Sequence, residues 1–169
     1  MKKYSSSSPC PVPIEQQPMY EYENLKKSIF FSWTTENLLS YLKTLVSLIT
    51  VTYVIVGTFV IISDGISFEL NSLQSAIFVS LIVDILIILL FIRISLGWEY
   101  IYKRLKNATV SYEESGWYDG QMWIKSPDVL IKDRLTADYV LFPIIKRIKT
   151  TLNILIIYLS FILLINRLA

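Results

Sequence analysis

The run LNSLQSAIFVSLIVDILIILLFI, residues 70–92, decides what kind of chain this is. Leu, Ile, Val and Phe fill most of it, a single acid (Asp84) interrupts it, and it holds neither proline nor glycine. About 20 such residues in a helix cross a hydrocarbon layer roughly 30 Å thick. Two comparable runs lie on either side, 44–63 and 150–166. The sequence therefore predicts an all-α membrane protein: a hairpin of two transmembrane helices plus a third, with a small helix and β-hairpin cap on one face.

Six segments follow. Residues 1–18 hold Pro9, Pro11, Pro13 and Pro18 beside a serine run, which keeps the backbone extended. Residues 19–34 read as an amphipathic helix with Tyr22, Leu25, Ile29 and Trp33 on one side, expected to lie on the bilayer surface. Thr35 is a fair N-cap for the first span, 35–63. The second span runs over 70–107. It leaves the bilayer as a helix with an apolar face of Ile94, Trp98, Ile101 and Leu105, and Trp98, Tyr100 and Tyr102 suit the headgroup layer. Residues 108–125 read as a β-hairpin, from alternation around Val110 and Tyr112 and the turn signal Asp119-Gly120. Ser126-Pro127-Asp128 starts a helix over 126–169, running to about Leu141, kinked at Pro143 and continuing as the third span.

Charge sets the topology. Lys and Arg cluster before residue 44 and again over 93–149, and the 63–69 link has none. Basic residues stay on the side of synthesis. The N-terminus and residues 93–149 are thus expected on one face, and the 63–69 link and the C-terminus on the other. The opening Met1-Lys2-Lys3-Tyr4 lacks the apolar core of a cleavable signal, so the protein is expected either to be made where it works or to be inserted through its own first span.

Composition narrows the chemistry. The chain has 169 residues, 53% of them hydrophobic, with mean hydropathy +0.49. There is no histidine and one cysteine, Cys10. Ser-His-Asp or Cys-His catalysis, His-ligated haem, most zinc sites and intrachain disulfides are excluded. A formal net charge of +2 gives no reason to expect nucleic acid. No cofactor is named by any motif, and Cys10 reads as a bystander thiol.

Two features invite a functional reading. Asp84 lies mid-span, where an acid costs about 2.5–3.5 kcal/mol on insertion scales. Ala76, Ser80 and Asp84 form one polar stripe. A tight hairpin brings Asp84 level with Ser47 and Thr50, and Ala76 level with Gly57, where small residues let backbones approach. The simpler reading is an intramembrane polar pin of Asp84, Ser80, Ser47 and Thr50; the other is a proton or ion relay in a transport component. The second feature is YEESGWYDGQ, residues 112–121. Glu113, Glu114 and Asp119 are candidate metal ligands or acid–base groups, although their spacing matches no Ca²⁺ loop. Tyr112, Trp117, Tyr118 and Trp123, with Pro11 and Pro13 from the arm, read more simply as partner contacts.

Two stretches carry a resemblance. One is Cys10-Pro11-Val12-Pro13, Glu15-Gln16-Gln17-Pro18, Glu21-Tyr22, Leu25 and Ser28 to Trp33. The other is Leu96-Gly97-Trp98, Tyr112 to Gln121, Trp123 and Asp133-Arg134-Leu135. Together they resemble the hypothetical chloroplast reading frame thirty-six family over nearly the whole chain. The resemblance implies residence in a plastid membrane, thylakoid or inner envelope, and a tie to photosynthetic life. It supplies no catalytic residue. The shared basic face would then be stromal. The expectation is a non-catalytic accessory protein that contacts the lipid bilayer and a membrane protein complex, in the assembly or upkeep of photosynthetic complexes.

Overall fold

The computed structural model describes residues 11–63, 73–113 and 120–168. Short helices α1 (Pro18–Lys27) and α2 (Ile29–Ser32) precede three long ones: α3 (Leu38–Ser63), α4 (Leu73–Lys106) and α6 (Phe142–Leu168). Strands β1 (Thr109–Tyr112) and β2 (Gln121–Ile124) and helix α5 (Pro127–Thr136) lie between α4 and α6. All three long helices are long and apolar enough to cross a membrane. The link expected over 63–69 falls outside the described residues apart from Ser63, the last residue of α3.

Helix α4 is the axis. Its 34 residues rise roughly 50 Å, more than a hydrocarbon layer needs. Ile87, Phe91, Ile94, Trp98, Ile101 and Leu105 are spaced by fours and threes and are all nearly or fully buried. That 3.5-residue period keeps one seam turned inward along the helix. Helices α3 and α6 pack on either side of it. Tyr41 on α3 reaches across to α6 at Thr151, with 2.8 Å between hydroxyls.

The segment predicted as one surface helix over 19–34 is three pieces: α1, α2 and a 3₁₀ turn over Trp33–Thr35. The break at Ser28 has a cause. The backbone there is extended, at φ −67° and ψ 136°, which reorients the chain so that Phe31 and Trp33 fold down onto α4. The supposed membrane-facing stripe is divided. Tyr22 and Trp33 are buried against protein, Leu25 packs on the same core, and Ile29 stands 88% exposed. Thr35 does not cap α3; its hydroxyl donates to the Ser32 carbonyl at 2.7 Å. The Glu36 carbonyl ahead of α3 accepts from Arg147 of α6 at 2.8 Å.

Trp98, expected in the headgroup layer, is fully buried. The rings of Tyr22 and Phe31 lie 6.3 and 6.0 Å from it. Its indole N–H donates to Thr34 Oγ1 at 2.9 Å, and that hydroxyl donates to the Phe31 carbonyl at 2.6 Å. Gly97 makes the approach possible: a β-carbon there would meet the Phe31 ring at 2.6 and 2.8 Å. Gly57 does not serve the close helix contact expected of it, since nothing lies within 4 Å of its β-carbon position.

Pro143 does not break the last helix. The five residues Ala137–Leu141 form a π turn, in which the Phe142 N–H reaches back to the Ala137 carbonyl. A proline ring clashes with the carbonyl four residues before it. The widened turn gives that carbonyl room, and α5 runs on into α6.

Gly97→Ala is expected to cost about 1–3 kcal/mol through overpacking against Phe31. Gly57→Ala is expected to be neutral or slightly stabilising. Thermal unfolding of the two variants in the same detergent checks this; equal midpoints would contradict the assignment of Gly97.

Candidate functional site

The cap is built on a two-stranded antiparallel sheet that pairs Val110 with Trp123 and Tyr112 with Gln121. Alternation divides its side chains. Val110 and Tyr112 are buried with Val12 of the N-terminal arm, and Trp123 packs against them. The Tyr112 hydroxyl donates to Gln121 Oε1 at 2.6 Å. The arm is fastened by Gln16, whose side-chain amide donates to the Glu113 carbonyl at 3.0 Å and accepts from the Glu113 N–H at 2.9 Å. One glutamine thus mimics a strand partner for the end of β1.

This changes the reading of the predicted contact residues. Tyr112 and Trp123 spend their rings on the chain's own arm. Pro11 and Pro13 are exposed, flanking the buried Val12. Trp117, Tyr118, Glu114 and Asp119 lie outside the described residues. Glu113 is exposed, and no group of three possible metal ligands occurs among the described residues. The apolar residues the cap presents outward are others: Met122 (78% exposed) and Ile124 on β2, Ile131 and Leu135 on α5. Met122 and Ile124 were legible in principle, since alternation puts them opposite Trp123.

Two cations weld the cap to α4. The Arg104 guanidinium donates to Glu21 of α1 and to the Tyr100 hydroxyl at 2.9 Å. It also reaches the Gln16 carbonyl at 3.1 Å and the Ser111 carbonyl at 3.3 Å. A planar fork with several donors ties arm, α1, α4 and β1 together. Burial holds the Glu21 carboxyl above the usual carboxylate range, and the charge of and hydrogen bond from Arg104 pull it back down. Lys125, just past β2, has a side chain with no exposure at all. Its ammonium donates to the carbonyls of Arg104 and Leu105 at 3.0 and 3.1 Å and to Asp133 Oδ2 at 2.6 Å. It thereby answers carbonyls at the end of α4 that have no helical partner. Burial pushes the Asp133 carboxyl up, and Lys125 opposes this.

Asp84 is buried, 4% exposed, and its Oδ2 has no hydrogen-bond partner. The polar pin expected around it is not assembled from the residues named. Ser47 and Thr50 are exposed on α3, and Thr50 bonds the Val46 carbonyl of its own helix. Ser80 does the same with Ala76, at 2.6 Å. Helix rotation is the cause: the face of α3 carrying Ser47 and Thr50 turns outward. The polar neighbours come instead from Tyr158 of α6, on which Asp84 acts electrostatically, and Tyr53 of α3, which shares a side-chain hydrogen bond with Tyr158. Sequence reasoning missed both tyrosines because a Tyr in an apolar run reads as a hydrophobe.

Lys125→Met is expected to destabilise the fold by about 3–5 kcal/mol, because Asp133 is left buried and unpaired, whereas Lys125→Met/Asp133→Leu recovers most of the loss. Denaturation in mixed micelles measures both; equal loss in single and double variants would show that the pair is not the cause. Asp84→Leu removes a buried oxygen without a partner and is expected to stabilise the purified chain, by about 1–3 kcal/mol. A fall in its thermal midpoint would count against this.

Relatives match this chain along most of its length. An uncharacterized protein ycf36 of Cyanophora paradoxa is 44% identical over 93% of this chain and 98% of its own length. The ycf36 protein of Porphyra purpurea is 43% identical over 86% of this chain and 87% of its own. An Arabidopsis thaliana protein named Conserved in the Green Lineage and Diatoms 27, chloroplastic, is 37% identical over 89% of this chain but only 46% of its own length. No solved structure matches. The family model described as CGLD27-like, conserved in the green lineage and diatoms 27, matches residues 10–154, from the N-terminal arm into the third long helix, and the chain belongs to that family.

Proposed function

We propose that this is an integral membrane protein of the plastid, inserted by three spans with the arm and residues 93–149 on the stromal side. Its cap serves as a non-catalytic docking platform for a membrane protein complex, in the assembly or upkeep of the photosynthetic machinery. The observation that carries insertion is the exposure of the long helices. Only 6%, 22% and 11% of their most apolar windows are buried in the chain itself. Residues such as Ile62, Phe59, Phe78, Ile157 and Phe161 stand largely uncovered. Water does not tolerate a continuous apolar belt of that size, and a bilayer does. The chloroplastic relative in Arabidopsis agrees with a plastid location.

The accessory role is supported by how the cap is held. Lys125 and Asp133 of the cap are tied to the end of α4, Arg104 of α4 reaches back to the arm and β1, and Tyr112 and Trp123 pack on the arm. Met122, Ile124, Ile131 and Leu135 are left outward. A rigid mount that presents apolar side chains to the aqueous side suits recognition of another protein.

Three outcomes are expected from organelle membranes. Alkaline carbonate leaves the chain in the bilayer; its release would end the membrane reading. Protease added from the stromal side cuts within the tip of the hairpin and spares the tail beyond Asn166; the reverse pattern would invert the orientation. A tagged chain solubilised in mild detergent migrates with photosynthetic subunits, and Met122→Asp/Ile124→Asp releases them while the chain stays inserted. Migration of the wild-type chain alone would refute the platform.

A further inference from the structure

A shallow groove of about 330 Å³ runs between α4 and α6 at the stromal end of the apolar belt. Its floor is apolar: Ile92, Leu96 and Leu152. Its upper end is the Glu99–Lys149 pair, whose charged atoms are 2.5 Å apart, and Ser95 and Asn153 line it one helical turn deeper, level with Leu96 and Leu152. Glu99 lies seven residues beyond Ile92, a rise of roughly 10 Å along the helix. An apolar floor with a polar lip over that distance matches the passage from acyl chains to headgroups, a layer roughly 5–7 Å thick on each side of a bilayer.

Ser95 leaves a polar atom open to the groove. A hydroxyl on a lipid-embedded helix normally bonds a carbonyl three or four residues back, because nothing else is there to satisfy it. Thr52, Thr58, Ser80, Thr151 and Ser160 all do so, at 2.6 to 3.0 Å. Ser95 is only 8% exposed and makes no such bond among the described residues. Its hydroxyl lines the groove, as does the Asn153 amide.

We propose that this groove seats one membrane lipid with an uncharged, hydroxyl-bearing headgroup, such as a single sugar on diacylglycerol. One acyl chain would lie on Ile92, Leu96 and Leu152. The headgroup hydroxyls would exchange hydrogen bonds with Ser95, Asn153 and the outer atoms of Glu99 and Lys149. Charge argues for this class. Glu99 and Lys149 neutralise each other, so the lip has no net charge for an ionic headgroup to answer. A lone phosphate leaves the Glu99 carboxylate facing an anion, and the quaternary nitrogen of choline has no N–H to give that carboxylate. Polyol oxygens accept from the ammonium and Asn153 and donate to the carboxylate. Lys103, one turn above Glu99 and exposed, is the group that would favour an anionic competitor, so the test includes one.

The proposal rests on membrane insertion, and its test separates the two. Full-length chain, already shown by carbonate treatment to stay in membranes, is purified into micelles. It is offered equal amounts of monoglucosyldiacylglycerol, phosphatidylglycerol and phosphatidylcholine with matched acyl chains. Native mass spectrometry reads which lipid stays bound. The glucosyl lipid is expected to be retained preferentially. Ser95→Ala and Asn153→Ala should each weaken its retention about two- to tenfold, the worth of one hydrogen bond. Leu96→Trp, which fills the floor, should abolish retention, whereas Leu89→Trp on the exposed lipid face should not. Circular dichroism confirms that each variant is folded. Equal retention of the three lipids, preference for either phospholipid, or full retention by the Ser95 and Asn153 variants would overturn the seat while leaving the membrane reading intact.

Discussion

The indole of Trp98 has to bury both its apolar bulk and its N–H, and the upper half of the molecule is arranged around that requirement. A buried tryptophan N–H without an acceptor is costly. Here the acceptor is Thr34, which the chain can supply only by folding residues 29–35 over α4. Ser28 provides the bend, Phe31 and Tyr22 cover the ring, and Gly97 clears the space in which Phe31 sits. The motif Leu96-Gly97-Trp98 is thus one device: a large ring, a gap beside it and a lid that fills the gap.

A second constraint acts at the end of α4. A helix that stops beneath a sheet leaves carbonyls with no water to accept from. Lys125 supplies the missing donor, and its buried charge in turn requires Asp133 on α5. Arg104 does the corresponding work toward the arm. The order of elements after α4 follows: strand, strand and helix must return close enough for Lys125 and Asp133 to meet under Leu105.

The parts of this fold that depend on one element alone were legible in the sequence. Apolar run length announces a long apolar helix whatever lies next to it. The 3.5-residue spacing from Ile87 to Leu105 and the alternation around Val110 are equally local. What could not be read was which neighbour covers a given face. Lipid and protein are both apolar partners, so the stripe of Tyr22, Leu25 and Trp33 fitted either, and the bilayer was the wrong choice. The surroundings of Asp84 were missed for the same reason. Helical spacing says that Ser47 and Thr50 share a face, but not that α3 turns that face outward and offers Tyr53 instead. The π turn before Pro143 depends on how α5 and α6 must meet, and no propensity encodes that.

The buried charges position the cap more than they hold it down. For both Glu21 and Asp133, burial is the larger influence on the carboxyl and the paired cation only partly offsets it. A carboxyl raised in the folded state contributes nothing extra above its raised value, and stability rises as pH falls through that value toward the ordinary carboxylate range. Carboxylates whose pairing outweighs burial behave in the opposite way and drive acid unfolding. Net cohesion in the cap therefore has to come from apolar contact: Val12 with Val110 and Tyr112, Leu105 and Leu141 in the core beneath, and the rings around Trp98. The ion pairs select one arrangement among the many that such contacts allow, because any other leaves Lys125 or Arg104 buried without its acceptors. The docking platform proposed above would require that kind of selection.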